Sequence, residues 1–195
     1  MRFRSIIAVL LILACAACAA PTIVIDAGHG GHDQGGMPGQ RIAEKGYALD
    51  VAKRLDGVLR RAGLRTVMTR KGDYFVTLSD RCRISNGQSN AVFVSIHFNG
   101  APNSDAYGIE TYYYRGRESA MLADQIFRKL VSSTHSPGRF VRSRPLYVLR
   151  HARHTAVLCE LGFLTNRGEA RRIGSSSYRQ KLAEAVGAAV ISRYR

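Results

Sequence analysis

Apolar, strand-like segments alternate along this chain with segments that carry apolar residues at helical spacing. Segments 22–26, 91–96 and 155–161 are short and largely apolar, as strands buried on both faces are. Segments 44–62 and 178–193 place their apolar residues on one helical face. Parallel sheets bury such strands beneath helices on both faces. The sequence therefore predicts an α/β fold with three layers, in which a largely parallel sheet is flanked by helices on both faces.

The remaining elements are predicted mainly from cap and turn signals. Thr77-Leu-Ser-Asp80 resembles a capping box and predicts a short helix that ends near Arg83. Residues 115–155 are expected to contain one helix and an arginine-rich loop, with a short strand at Tyr147–Leu149. Further strands are predicted at 64–69 and 108–114, and a helix at 118–131.

Residues 1–20 have the pattern of a signal peptide. A basic segment, Met1–Arg4, precedes the apolar run Ile6–Ala20, which is shorter than the about 20 residues that a membrane span needs. Small residues around Cys18 are typical of a cleavage site, although Cys15 or Cys18 could instead be the lipidated cysteine of a lipoprotein signal. We therefore expect an exported protein, in the periplasm or cell envelope with or without a lipid anchor, or else secreted, with one domain over 21–195.

The chain is strongly basic, with a formal net charge of +15. Such a surface attracts polyanions, and those outside the membrane include peptidoglycan, teichoic acids and lipid headgroups, although a merely solvated surface explains the charge equally well. No recognition helix or aromatic platform accompanies the basic residues, so we expect no nucleic-acid partner. We expect a monomer that contacts the membrane only through its signal peptide or lipid anchor. Beyond the signal only Cys82 and Cys159 remain, too few for a disulfide scaffold.

The glycine-rich stretch Gly28–Gly36 follows the first predicted strand and contains two histidines. A dinucleotide-binding loop needs Gly-x-Gly-x-x-Gly, but after Gly28 and Gly30 the third glycine position holds Asp33. A phosphate-gripping loop of the nucleotidase type needs Gly-Lys-Ser/Thr, which the sequence lacks. Nor does the stretch pass promptly into a helix whose first amides could hold an anion. A metal site is therefore favoured over a phosphate site.

A metal site needs ligands that converge from separate elements. His29 lies in the glycine-rich stretch, Glu44 opens the first long helix and His97 follows a buried strand. Two imidazoles and one carboxylate, with a position left for water, form the ligand set of catalytic zinc. Glu160, in an otherwise apolar strand, is the candidate general base beside such a metal.

Each of these four residues also has a structural interpretation, so spacing alone leaves the choice of ligands open. A histidine after a strand is more often hydrogen-bonded than metal-bound, and a glutamate in a first helical turn favours the helix dipole. Glu160 could pair with one of the many arginines. His29 with His32, and His151 with His154, have ligand-like spacing, but we expect His32, His151 and His154 to face solvent. The His-Glu-x-x-His helix of zinc proteases is absent from the sequence.

Five motifs, in order, carry a resemblance to a known family: "IVIDAGHGGHDQGG", "AEKGYALDVAKRL", "VFVSIHFNG", "GIETYYY" and "AVLCELGFLTN". From Thr22 onward the chain resembles the catalytic domain of zinc-dependent N-acetylmuramoyl-L-alanine amidases. The resemblance implies a mixed, mainly parallel sheet, and hydrolysis of the amide that joins the lactyl group of muramic acid to the L-alanine of the peptidoglycan stem peptide. It also implies one Zn²⁺ ion on His29, Glu44 and His97, with Glu160 as the catalytic base.

One departure from this family concerns regulation. Division-associated members carry a long insert before the last core strand, and this insert plugs the site until a partner protein removes it. The corresponding span here, 115–155, is short, which predicts an open and constitutively active site. Two alternatives remain: a non-catalytic basic module that binds the cell wall, and an exported zinc peptidase that cuts within the stem peptide. Sensitivity to a chelator excludes the first, and the chemical termini of the products distinguish the second.

Overall fold

The computed structural model describes residues 20–195. The predicted signal peptide over residues 1–20 therefore lies outside the described residues, apart from Ala20. None of the helices formed by residues 20–195 has the combination of length and apolarity that crossing a lipid bilayer requires.

The described part of the chain alternates between strands and helices. In chain order these are β1 (Thr22–Ala27), α1 (Glu44–Arg61), β2 (Thr66–Met68), α2 (Leu78–Asn86), β3 (Ala91–Asn99), β4 (Ile109–Tyr113), α3 (Arg117–Thr134), β5 (Gly138–Ser143), α4 (Tyr147–His151), β6 (Thr155–Phe163), α5 (Arg167–Gly174) and α6 (Ser176–Tyr194). The strands form one sheet in the order β2-β1-β3-β6-β4-β5. Neighbouring strands are parallel except β4 and β6, which are antiparallel. The predicted mixed, mainly parallel sheet is confirmed.

The two faces of the sheet bury two separate apolar clusters, because successive side chains along a strand point to opposite faces. Ile23 and Val94 belong to the larger cluster, which α1, α3 and α6 cover. Val24 and Phe93 belong to the smaller cluster, beneath α2 and α4. We call the second face, which is covered by two short helices only, the α2–α4 face. The three predicted layers are confirmed.

Local signals explain where the helices begin. The side chain of Thr77 accepts a hydrogen bond from the backbone N–H of Asp80 (3.0 Å), which confirms the predicted cap of α2. α2 continues to Asn86, beyond its predicted end near Arg83. α1 begins at Glu44 as predicted and buries an apolar stripe that comprises Ala48, Val51, Ala52, Leu55 and Leu59.

The span 115–155 differs from its prediction. It contains α3, β5 and α4, so the expectation of one helix and a loop is wrong. The predicted strand at Tyr147–Leu149 is also wrong, because these residues form the start of α4 and bury Val148 and Leu149 against the α2–α4 face. A run of three apolar residues fits a strand or a single helical turn, and here tertiary packing decides. β5 escaped prediction because it is an exposed edge strand with few apolar residues.

Two strands that carry candidate catalytic residues are longer than predicted. β3 continues to Asn99, so His97 lies within a strand rather than after it, and β6 continues to Phe163, beyond the predicted strand that already included Glu160. Their side chains therefore point in directions fixed by the sheet. Cys82 and Cys159 are buried and unpaired, as expected for small apolar side chains.

Candidate active site

The four residues predicted to carry the chemistry meet in one cleft. The carboxyl ends of the parallel strands β1, β3 and β6 share an edge of the sheet, which is where open α/β sheets bind ligands. His97 and Glu160 are direct neighbours in the β3–β6 register, His29 follows β1, and Glu44 opens α1. Together they line a cleft of about 600 Å³.

His29, Glu44 and His97 form a compact group of candidate metal ligands. Glu44 Oε2 lies 3.0 Å from His29 Nε2, and Glu44 Oε1 lies 2.8 Å from His97 Nδ1. One potential ligand atom from each residue lies within 4.8 Å of the others. Such a group of two nitrogens and one oxygen fits a divalent metal ion, and catalytic zinc sites use the same kinds of donor.

Two glycines make room for these ligands. A Cβ at Gly28 would stand 2.3 Å from Cε1 of His97, so the imidazole ring occupies the space that any other residue would fill. A Cβ at Gly35 would stand 2.5 Å from Cδ2 of His29 and 2.7 Å from Oε2 of Glu44, and Gly35 has a positive φ of 70°. Gly28 and Gly35 therefore leave the space that the side chains of the candidate ligands occupy.

His29 is held by its neighbours in an uncommon backbone conformation. Its φ is +59°, in the left-handed region. Its carbonyl oxygen accepts a hydrogen bond from Nη2 of Arg81 (2.7 Å), and its Nδ1 donates to Oδ2 of Asp33 (2.8 Å). A carboxylate on the second ring nitrogen is the usual way in which a metal-binding histidine is oriented. Asp33 leaves Nε2 facing Glu44.

Glu44 is a buried carboxylate supported on both oxygens. Phe98 N donates to Oε1 (2.9 Å) and Gly36 N donates to Oε2 (3.0 Å). Burial alone would raise the pKa of Glu44, but the charge of His97 and the hydrogen bonds from both histidines lower it to about 2. Burial likewise works against a charged His97, yet Glu44 raises the pKa of His97 to about 9. With its pKa lowered in this way, Glu44 is negatively charged at neutral pH, as a ligand of a cation must be.

Glu160 has the environment of a proton-transfer group. Its Oε2 is buried and, among the described residues, has no hydrogen-bond partner. Burial, reinforced by the negative charges of Glu44 and Glu110, raises the pKa of Glu160 to about 8, although His97 opposes the shift. The positive charge of a metal at the neighbouring ligand group favours the ionised form instead. An orphaned carboxylate oxygen beside three convergent ligands fits a hydrolytic metal site.

A further acidic residue beside Glu160, Glu110, was not predicted. It pairs with Glu160 in the β4–β6 register and accepts hydrogen bonds from Asn99 Nδ2 (2.8 Å), Tyr112 Oη (2.6 Å) and Arg139 Nε (2.6 Å). The available signal was a glutamate within the strand-like run "GIETYYY". Asp33 was also missed as a supporting residue, although its spacing of four from His29 is visible in the sequence.

The other histidines lie apart from the ligand group. His32 and His151 are exposed as predicted. The ring of His32 lies against Phe75 at an interplanar angle of 35°, and the ring of His151 stacks on Tyr147. His154 is half-buried, with Nε2 3.0 Å from the carbonyl oxygen of Gln88, so its predicted exposure is wrong. It lies on the turn that leads into β6, where the chain packs against the end of α2.

Apolar side chains line the cleft beside the charged residues. They include Phe75, Leu78, Leu146 and Tyr147. Phe75, Leu78 and Tyr147 are also among the large apolar side chains that remain exposed. The cleft therefore offers apolar contact surface beside the candidate ligands and Glu160.

The sequence profile of the Amidase_3 family, described as N-acetylmuramoyl-L-alanine amidase, matches residues 23–192. This chain belongs to that family. The predicted resemblance is therefore confirmed, and with it the predicted class of enzyme rather than a binding module or a peptidase.

Two sequence relatives and one solved structure show how far the amidase likeness extends. The uncharacterized protein YqiI of Bacillus subtilis is 38% identical over 187 residues, which cover 92% of this chain and 90% of YqiI. The N-acetylmuramoyl-L-alanine amidase LytC of Bacillus subtilis is 35% identical, and the match covers 89% of this chain but only 36% of LytC. The crystal structure of an N-acetylmuramoyl-L-alanine amidase from Clostridium difficile 630 superposes with a TM-score of 0.83 at 35% identity, covering 89% of this chain and 96% of that one.

Proposed function

We propose that this chain hydrolyses the amide bond between the lactyl group of N-acetylmuramic acid and the L-alanine of the peptidoglycan stem peptide. The observation that carries the proposal is the convergence of His29, Glu44 and His97 beside the unpartnered Oε2 of Glu160, in a chain of the amidase family. A module that only bound the cell wall would have no use for this arrangement. A peptidase acting within the stem peptide would use the same chemistry, but the family match favours the amidase, and product analysis checks which bond is cut.

We further propose one Zn²⁺ ion as the cofactor, held by His29, Glu44 and His97. Bound there, Zn²⁺ would act as a Lewis acid toward the scissile carbonyl and lower the pKa of the attacking water. Glu160 accepts the proton of that water at Oε2, where no described protein group competes for it. Glu160 then donates the proton to the departing amine of L-alanine. Asp33 keeps the ring of His29 oriented throughout through the bond to Nδ1.

We propose that residues 1–20 direct export and that residues 21–195 form the catalytic domain. The family match over 23–192 supports the domain boundary, and the basic and apolar pattern of residues 1–20 supports export. The protein would then act in the periplasm or cell envelope as a monomer, with a signal peptide or lipid anchor as its only membrane contact. N-terminal sequencing and lipid analysis of the mature protein test the cleavage point and the anchor.

Digestion of purified sacculi by the pure protein tests the activity. We expect soluble products with new L-alanine amino termini and free lactyl carboxylates, loss of activity with a chelator and recovery with Zn²⁺. Other new termini would identify a peptidase, and chelator-insensitive binding without cleavage would identify a wall-binding module. Activity of the protein alone would also support an open site that needs no activator.

Glu160→Gln tests the proton-transfer role. We expect turnover to fall by about 10³-fold, the range of general acid–base catalysis, because the amide cannot accept the proton. Zinc content, measured by mass spectrometry of the native protein, should stay at one ion per chain. The matched control is Glu184→Gln, an exposed glutamate on α6, which should leave turnover unchanged. A Glu160→Gln protein with normal turnover would remove Glu160 from the mechanism.

A further inference from the structure

The face of the sheet that carries Glu160 continues outward to the exposed edge strand β5. Glu160 on β6 pairs with Glu110 on β4, and Glu110 pairs with Phe140 on β5. Residues aligned across neighbouring strands point to the same face. The same alternation places Arg142 and Arg144 on the α2–α4 face, two and four residues beyond Phe140. The catalytic glutamate and a pair of arginines therefore lie on the same face of the sheet.

These two arginines are exposed and unneutralised. Arg142 and Arg144 have no carboxylate oxygen within 4.0 Å among residues 20–195, whereas Arg139 on the same strand is paired with Glu110. The guanidinium of Arg142 stacks over Phe140 at 4.2 Å, and that of Arg144 lies 6.0 Å from the centre of the Tyr112 ring. An arginine held against a ring keeps N–H donors available for a carboxylate, and Arg142 makes the closer of the two ring contacts.

Backbone pairing fixes the position of the two arginines relative to the cleft. Arg144 N donates to Tyr113 O (2.7 Å), so Arg144 continues the β5 ladder, and Leu146, two residues later, lines the cleft. Arg142 pairs with Tyr112, which pairs with Leu158, two residues before Glu160. With strands about 4.8 Å apart and a rise of about 3.3 Å per residue, Arg142 lies about 12 Å from Glu160 along the sheet.

We propose that Arg142 and Arg144 bind the carboxylates of an acidic stem peptide, about three to five residues beyond the bond that is cut. By the same geometry Arg144 lies about 16 Å from Glu160, and an extended peptide covers about 12 to 16 Å in that number of residues. The inference rests on the proposed function, because it takes the scissile bond to lie beside Glu160. These two arginines differ from the other positive charges of the chain because both lie near aromatic rings on the face that bears the catalytic group.

Two synthetic muramoyl-peptides test this subsite. One carries free carboxylates along the peptide, and the other carries carboxamides at the same positions. The wild-type enzyme should have a KM roughly five- to twentyfold lower for the acidic substrate, the range expected for two partly exposed arginine–carboxylate pairs. Arg142→Gln/Arg144→Gln should raise the KM for the acidic substrate to that for the carboxamide, with the change in KM rather than kcat. Added NaCl should weaken the wild-type preference.

A matched control removes the same charge elsewhere. Arg61→Gln/Arg65→Gln lies at the end of α1 and just before β2, at the opposite edge of the sheet, and both residues are exposed. This control should keep the preference for the acidic substrate. A wild-type enzyme without that preference, or an Arg142→Gln/Arg144→Gln enzyme that retains it, would overturn the proposal. So would a double variant that loses binding only to vesicles of phosphatidylglycerol, because the surface would then serve a membrane.

A binding measurement separates failure of the subsite from failure of the proposed function. Calorimetric titration of the Glu160→Gln protein with the two uncleaved substrates should show tighter binding of the acidic one, and Arg142→Gln/Arg144→Gln in that background should abolish the difference. If the wild type cleaves neither substrate but the binding preference follows the arginines, the proposed function fails and the subsite stands. If the wild type cleaves both and the binding constants are equal, the subsite fails alone.

Discussion

At the residue scale, Gly28 determines where the imidazole ring of His97 can lie. Gly28 packs directly against the imidazole of His97, with 2.3 Å between an added Cβ and Cε1 of that ring. Gly28→Ala must therefore displace His97 from Glu44. We expect the affinity for Zn²⁺, measured by competition with a chromogenic chelator, to fall by more than about tenfold, as when ligand-orienting groups are lost.

A glycine that does not pack against a candidate ligand provides the control for this prediction. Gly46 lies on α1, two residues after Glu44, and a Cβ there meets no atom within 4 Å. Gly46→Ala should leave zinc affinity unchanged and stabilise the helix by up to about 1 kcal/mol, because alanine loses less backbone entropy than glycine. Equal zinc affinities for Gly28→Ala and Gly46→Ala would show that a methyl group at position 28 does not disturb the zinc ligands.

The candidate ligands could be predicted from the sequence because each stands at the end of a recognisable element. His29 follows a buried strand into glycines, and Glu44 opens a helix with a clear apolar stripe. The supporting residues could not be predicted in this way. Glu110 and Asp33 support the site through hydrogen bonds to residues that the fold brings close to them. The sequence around each of them does not indicate which residues these are.

At the scale of elements, one buried arginine joins three segments of the site. Arg70, which follows β2, is fully buried and donates to the carbonyl oxygens of Ala27 (2.9 Å), Gly28 (2.6 Å) and Lys45 (2.7 Å). It thereby ties the end of β1, which leads to His29, to the first turn of α1, which carries Glu44. The relative position of two candidate ligands thus depends on a residue that touches neither.

Arg70→Lys separates this geometric role from charge. Lysine keeps the positive charge but lacks the planar fork, so it cannot serve all these carbonyls at once. We expect zinc affinity to fall by about tenfold, with far-ultraviolet circular dichroism that still shows a folded protein. Arg65→Lys, an exposed change just before β2, is the control and should bind zinc normally. Unchanged affinity in Arg70→Lys would mean that the sheet and helix hold the ligands without this arginine.

The elements that the sequence did not predict are those shaped by tertiary contacts. β1, α1, β3 and β6 are long or strongly apolar. Their residue patterns therefore fit one type of secondary structure clearly better than the other. β5 is an edge strand that is exposed along most of its length. α4 is a short helix of five residues, and it is buried only through its contacts with α2 and β6. Short and exposed segments carry too little pattern to fix their own structure.

At the scale of the whole molecule, Asp26 connects several elements through one buried carboxylate. It accepts hydrogen bonds from Thr69 Oγ1, Arg81 Nη1 and Ser95 Oγ, each at 2.7 Å. These donors lie after β2, on α2 and on β3. Burial alone would raise the pKa of Asp26, but the charge of Arg81 and the two hydroxyl groups hold it below its usual value. Asp26 is therefore more stable as a carboxylate in the folded protein than in the unfolded chain.

This lowered pKa predicts how the stability of the zinc-free protein depends on pH. Because the folded pKa lies below the unfolded value near 4, the contribution of Asp26 is fully present above that value and is lost as pH falls through the folded pKa. Asp26→Asn leaves the buried Arg81 without its counter-charge, so we expect the free energy of unfolding at pH 7 to fall by about 3 kcal/mol. Urea unfolding from pH 7 to pH 3 should show this difference narrowing below about pH 4.

The control for acid sensitivity is Asp50→Asn. Asp50 is about one-third exposed and pairs with Arg54 and Arg179 near the surface, so its loss should cost less than about 1 kcal/mol. Other carboxylates with lowered pKa values make every variant less stable in acid, and only the difference between wild type and Asp26→Asn isolates one group. A difference that stayed constant from pH 7 to pH 3 would show that Asp26 acts through its shape and hydrogen bonds rather than through its charge.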